Sequence, residues 1–72
     1  MPDELAPEVA TWLADFAARL GTEPPSEEEI DVLLRLAGAA ARGSARQAAP
    51  VACWLAARAG VDPIRALELA ES

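Results

Sequence analysis

Apolar residues recur every three or four positions in the first third of the chain, which is the spacing of one face of an α-helix. This apolar stripe is formed by Leu5, Val9, Trp12, Leu13, Phe16, Ala17 and Leu20. Pro7 suits the first turn of a helix, and Gly21 stands where a left-handed residue usually ends one. The pattern predicts a first helix over about residues 5–20.

A second helix begins after a capping signal. Ser26 and Glu29 have the S-x-x-E spacing of a capping box, in which each side chain accepts a hydrogen bond from the other residue's backbone N–H. We predict a helix over about 27–42, with an inner face of Ile30, Leu33, Leu34, Ala37 and Ala41. The small side chains near its end predict the closest helix crossing around residues 38–41.

Two shorter helices follow. Pro50 is tolerated only in a first turn, which predicts a third helix over about 47–59. Asp62 is a suitable N-cap for a fourth helix over about 63–71, anchored by Ile64 and Leu67. No strand alternation interrupts the chain, so the sequence predicts an all-α fold, a single compact bundle of four short helices in one domain spanning residues 1–72.

The composition excludes several kinds of catalytic and metal-binding chemistry. Apolar types make up 53% of the 72 residues, 18 of them alanine, while histidine and lysine are absent and Cys53 is the single cysteine. These counts exclude a disulfide within the chain, a His/Cys zinc site and a catalytic triad built on histidine. We expect a non-catalytic protein with no resident cofactor or metal.

The charge is uneven along the chain. The formal net charge is −6, and residues 1–31 carry nine acids and one arginine, whereas residues 32–72 carry three acids and five arginines. An acidic chain is repelled by nucleic acid and by anionic membranes, so we expect neither as a partner. The sequence has no secretion-signal pattern and no apolar run of about 20 residues. Together with the free thiol, this predicts a cytoplasmic location.

Three features have a structural and a functional interpretation. The acids at 27–31 have the wrong spacing for a calcium loop and are better explained by the positive end of a helix dipole. Cys53 could be a nucleophile if a cation lowered its pKa, but a small buried hydrophobe is favoured. Trp12 and Trp54 fall on apolar stripes and are expected in the core.

The segment from Arg42 to Gln47 is the best candidate for a binding site. Arg42, Ser44 and Arg46 lie just before a helix N-terminus, where guanidinium groups and free backbone N–H groups could hold an anion or phosphate. Arg42 also complements the negative end of the second helix. Arg46 has a structural alternative, in which it caps that helix or pairs with Asp15 or Asp31.

The run LLRLAGAAARGSARQAAPVACWLAARAG, residues 33–60, resembles a family of small helical domains of unknown function from high-GC bacteria. Members stand alone or are fused to molybdenum cofactor guanylyltransferase, which attaches GMP to molybdopterin. The resemblance extends over about residues 9–70. It rests on Trp12, Leu20, Gly21, Leu36, Ala37, Ala41, Gly43, Ala45, Arg46, Ala48, Ala49 and Pro50. The chain departs from the pattern at Ala39 and Arg42, where the family tends to carry aspartate and histidine, and at Gln47, where it has proline. No role of that histidine carries over.

Three functions remain open. The resemblance implies an accessory or docking domain linked to the synthesis of molybdopterin guanine dinucleotide, with the guanylyltransferase as partner. A small bundle with few large side chains could instead be a self-associating structural module, a homo-oligomer that buries its apolar area against another copy. The third is a phosphate- or nucleotide-binding module using Arg42, Ser44 and Arg46.

Overall fold

Four α-helices make up the fold in the computed structural model, which describes residues 5–72. They are α1 (Pro7–Leu20), α2 (Glu27–Gly43), α3 (Ala48–Ala59) and α4 (Pro63–Glu71). No strand occurs within the described residues, so the all-α prediction is confirmed, and each predicted helix end agrees within two residues. No helix in residues 5–72 has both the length and the apolar character needed to cross a bilayer.

The helix ends follow the local signals in the sequence. The Ser26 hydroxyl accepts a hydrogen bond from the Glu29 N–H at 3.1 Å, and the Glu29 carboxylate accepts one from the Ser26 N–H at 2.8 Å. The Asp62 carboxylate caps α4 by accepting the N–H two residues later at 2.8 Å. Gly21 and Gly60 end α1 and α3 at φ 78° and 72°, a region that side chains disfavour. The predicted capping box, the Asp62 cap and the end of α1 at Gly21 are confirmed.

The core lies where α2 packs against α3 and α4. Leu36, at 3% exposed, and Ala39 are buried on α2 and meet Ala66 and Leu67 of α4. The half-buried residues packed against them are Val32, Leu33, Cys53, Ala56 and Val61. Because two of the four buried side chains in this cluster are alanines, the core is thin. Ile64, predicted to anchor α4 together with Leu67, is exposed instead.

The small residues of α2 do not all serve helix packing. An added Cβ at Gly38 would meet only atoms of the Arg42 side chain within 4 Å. The predicted closest crossing at residues 38–41 is therefore wrong at Gly38, although Ala39 beside it is buried. The side of Gly38 on which a Cβ would stand therefore faces the Arg42 guanidinium and does not face another helix.

Helix α1 stands apart from this core. No Cα atom of α1 comes within 8 Å of a Cα atom of α2, α3 or α4. Ala17 is buried and Leu13 is half-buried, so this edge of the α1 apolar stripe is covered. Trp12 is 61% exposed, which overturns the prediction that it lies in the core. The stripe is wider than the surface available to cover it.

The solvent-accessible surface is large for the mass. The chain exposes 5740 Å², whereas a folded 7.5 kDa monomer is expected to expose about 4,250 Å². The radius of gyration is 12.4 Å, against about 11 Å expected for this length.

Candidate functional site

The outer side of α3 carries an aromatic and cationic surface, which we call the Trp54 face: Val51, Trp54 and Arg58. These positions are spaced by three and four residues and therefore share one side of the helix. Trp54 is 58% exposed, and the guanidinium carbon of Arg58 lies 5.0 Å from the centroid of its ring. The prediction that Trp54 is a core residue is wrong, because α3 packs on the core through its opposite side, with Cys53 and Ala56.

The exposed edge of α1 forms a second apolar surface, which we call the α1 stripe: Val9, Trp12, Phe16 and Leu20. All four side chains are exposed, and the rings of Trp12 and Phe16 stack with centroids 5.0 Å apart at an interplanar angle of 28°. The two rings therefore pack face against face on the exposed side of α1.

A third apolar surface is the α3–α4 groove, lined by Leu36, Ala52, Leu55, Ala56, Ala59, Val61, Ala66, Leu69 and Ala70. Its volume is about 280 Å³. The groove is open because α3 and α4 each pack on α2 and make little contact with each other. Leu36 forms its base, and Leu55 and Leu69 stand half-exposed on its two walls. The groove residues were not singled out by the sequence, because alanines carry little periodic signal.

The predicted anion-binding side chains are all on the surface. Arg42, Ser44 and Arg46 are exposed. The Arg42 guanidinium lies back along α2, with one nitrogen 3.1 Å from where a Cβ of Gly38 would be. Among residues 5–72, the one ion pair joins two residues of α4 and involves none of these arginines. The predicted pairing of Arg46 with Asp15 or Asp31 is therefore not formed.

The backbone at the start of α3 offers few donors to an anion. The N–H groups of Ala48 and Ala49 donate to the carbonyls of Ala45 and Arg46, at 2.9 and 3.1 Å. Pro50, the third helical residue, has no N–H to give. An anion at this turn would be held by side chains and not by a helix N-terminus. Anion binding by Arg42, Ser44 and Arg46 stays a prediction.

The surroundings of Cys53 and of the acidic cluster at residues 27–31 favour a structural role for both. The Cys53 thiol is half-buried with its Sγ 3.9 Å from the Leu33 carbonyl oxygen, and burial raises the pKa of the thiol. A raised pKa opposes nucleophilic activation. In the acidic cluster, Glu29 is used in the α2 capping box. Within the described part of the chain, no three acidic or cysteine side chains are grouped so that they could hold a metal ion.

The contact between Arg58 and Trp54 was not predicted from the sequence. Arg58 follows Trp54 by four positions, so helical spacing alone could have predicted the contact between their side chains.

The comparison with curated proteins gave no match, and neither did the comparison with solved structures. A family model described as Domain of unknown function (DUF6457) matches residues 4–70. The match covers nearly the whole chain, including α1, α2, α3 and all of α4 except its last residue. The chain therefore belongs to the DUF6457 family.

Proposed function

We propose that this domain is a non-catalytic docking module that binds a partner protein through the Trp54 face. The single observation that carries the proposal is the exposed Trp54 side chain with Arg58 stacked on it. Tryptophan and arginine are the residue types most enriched among those that dominate binding energy at protein interfaces. The stacked guanidinium restrains the indole before binding, which reduces the entropy lost when a partner covers it.

The partner we propose is a molybdenum cofactor guanylyltransferase, and the domain would serve the synthesis of molybdopterin guanine dinucleotide in the cytoplasm. This part of the proposal rests on the resemblance of residues 33–60 to domains of high-GC bacteria that stand alone or are fused to that enzyme. The Trp54 face lies within those residues. A domain fused to an enzyme in some proteins is a natural docking partner for it in others.

The test is isothermal calorimetry of the chain with the guanylyltransferase from the same source. The two tryptophans provide a matched pair of variants, because Trp12 and Trp54 are exposed to a similar extent on different helices. Trp54→Ala is expected to weaken binding at least about tenfold, whereas Trp12→Ala leaves it unchanged.

Two results would contradict the proposal. If the wild-type chain gives no heat at high enzyme concentration, the guanylyltransferase is not the partner. If Trp54→Ala and Trp12→Ala have equal effects, the Trp54 face is not the docking surface. Circular dichroism of both variants checks that their helices are intact.

A further inference from the structure

The Trp54 face lies in a long stretch of the chain that has no acidic residue. Residues 32–61 hold four arginines and no aspartate or glutamate, whereas the rest of the chain holds twelve acids and two arginines. We infer that the partner segment bound by the Trp54 face is acidic and apolar. A carboxylate of the partner pairs with Arg58, and a large apolar side chain beside that carboxylate packs on the Trp54 indole and on Val51. The inference rests on the docking function proposed for the Trp54 face and names the chemistry of the surface it binds.

The Arg58 guanidinium has hydrogen-bond donors to offer. Its central carbon lies over the Trp54 ring, 5.0 Å from the ring centroid, and the side chain is exposed. The ring attracts the positive charge but does not replace the hydrogen bonds that guanidinium N–H groups make with oxygen. A carboxylate is the group that accepts two such bonds side by side from the guanidinium fork.

No acidic side chain of the described residues takes this place. Among residues 5–72, the one ion pair joins Arg65 to Glu68 at 3.2 Å, so the arginine of α4 is neutralised within its own helix. The acid that follows Arg58 most closely is Asp62, and its carboxylate caps α4 by accepting the Ile64 N–H at 2.8 Å. Arg58 is therefore the arginine of this face that a carboxylate from outside can pair with.

The apolar half of the Trp54 face decides what stands beside that carboxylate. Trp54 is 58% exposed and Val51 is 55% exposed. Pro50, four positions before Trp54, is exposed on the same side of α3. An apolar side chain that covers the indole also excludes water from the ion pair beside it, as the surroundings of dominant interface residues do. A carboxylate without an apolar neighbour would leave the indole uncovered.

The charge on the rest of the chain selects against a basic partner segment. At physiological salt, charges on the surface interact over about 8 Å, so a bound segment responds mainly to the charges nearest to it. A basic segment would place like charge against Arg58. It would be attracted instead to acidic surfaces such as the first turn of α2, where Glu27, Glu28 and Glu29 lie together. An acidic segment is repelled from those surfaces and directed to the Trp54 face.

Selection from a random library of short peptides tests the inference without the guanylyltransferase. Peptides that bind the wild-type chain but not Trp54→Ala are sequenced. We expect them to carry net negative charge, with an aspartate or glutamate close to a large apolar residue. Basic or neutral peptides would overturn the inference, and so would the failure to select any peptide that depends on Trp54.

Variants of Arg58 measure the ion pair in the selected peptides. Arg58→Gln should raise the dissociation constant at least about tenfold, because a hydrogen-bonded charge pair is lost. Arg58→Lys keeps the charge without the planar fork, so its loss should be smaller. Arg19→Gln makes the same change on the exposed surface of α1 and should leave binding unchanged. Equal effects of Arg58→Gln and Arg19→Gln would contradict a specific pair, and circular dichroism checks that the helices of each variant are intact.

The absence of lysine allows a chemical test with the guanylyltransferase itself. Arg58→Lys introduces the only lysine of the chain. A carbodiimide activates a carboxylate, the lysine amine attacks it, and an amide forms as the reagent leaves as a urea. Tandem mass spectrometry should find position 58 joined to an aspartate or glutamate of the enzyme. Arg19→Lys, treated in the same way, should give no such link.

The two proposals can fail separately. If acidic peptides bind the Trp54 face and the guanylyltransferase gives no heat in calorimetry, the proposed partner is wrong and the inference stands. If the enzyme binds and Trp54→Ala weakens it, but position 58 forms no link to an enzyme carboxylate, the docking function stands and the inference is wrong.

Discussion

Replacing Gly38 with alanine should stabilise the fold, although the glycine lies in the middle of the longest helix. Glycine costs a helix interior about 0.8–1 kcal/mol relative to alanine. The added methyl would meet one Arg42 guanidinium nitrogen at 3.1 Å and no atom of another helix within 4 Å. That guanidinium is the end of a flexible, exposed side chain, so moving it aside costs little. The net gain should be about 0.5–1 kcal/mol.

The assay is urea unfolding followed by circular dichroism, at a concentration low enough to keep the chain monomeric. In thermal unfolding followed by the same signal, a gain of this size raises the midpoint by roughly 2–8 °C in a domain of this length. Gly21→Ala is the matched control. Its φ of 78° is strained for any side chain, so that variant should lose about 1 kcal/mol or more despite the open space around it.

A destabilised Gly38→Ala variant would refute the packing argument. It would mean that another helix approaches α2 at this residue and that the small side chains around it are there for close packing. An unchanged Gly21→Ala variant would refute the left-handed ending of α1.

The remaining predictions concern the cap, the core and the thiol. Ser26→Ala should lower the free energy of unfolding by about 1 kcal/mol in urea, because the capping box is lost, while Thr22→Ala in the preceding loop should change it little. Equal losses for the two would contradict the cap. Leu36→Ala should cost about 2–5 kcal/mol and the exposed Leu34→Ala less than about 1 kcal/mol, as measured by chemical unfolding, and a reversed order would place the core elsewhere. Since burial raises the pKa of the Cys53 thiol, the folded state keeps this proton to higher pH than the unfolded state. The stabilisation that the protonated Cys53 thiol gives the folded state is therefore constant below the unfolded-state pKa. It is lost as the pH rises through the higher folded-state pKa. Urea midpoints measured from neutral to alkaline pH should fall more steeply for wild type than for Cys53→Ala, and parallel curves would show that the thiol is not buried enough to matter.

The local signals in the sequence were sufficient to predict the helices and their ends. The Ser26 capping box, the Asp62 cap and the left-handed glycines at 21 and 60 each depend on residues within a few positions of one another. Such interactions are decided by the backbone of one segment. They can therefore be derived without knowing how the helices pack.

The packing could not be derived in the same way. Trp12 and Trp54 lie on apolar stripes, and periodicity identifies a stripe without showing whether anything in the chain covers it. In a chain this small, α2 offers enough surface for α3 and α4 and leaves the exposed edge of α1 uncovered. A sequence can therefore carry more apolar stripe than its own core can cover, and in this structure both tryptophans are exposed.

The candidate anion site is a second feature that could not be derived from the sequence pattern alone. Arg42, Ser44 and Arg46 were chosen because they precede a helix N-terminus with its free N–H groups. The turn before α3 uses the N–H groups of Ala48 and Ala49 within the backbone. Which donors are free depends on the conformation of that turn, and the sequence pattern does not specify it.

The most direct test of the central claim is an amide-resolved NMR titration of the labelled domain with the molybdenum cofactor guanylyltransferase from the same source. The account predicts that the signals of Val51, Trp54 and Arg58, including the Trp54 indole N–H, shift or broaden first. Signals of the exposed face of α4 around Ile64 should remain unchanged. A spectrum that does not change at high enzyme concentration, or changes centred away from the Trp54 face, would contradict the docking function.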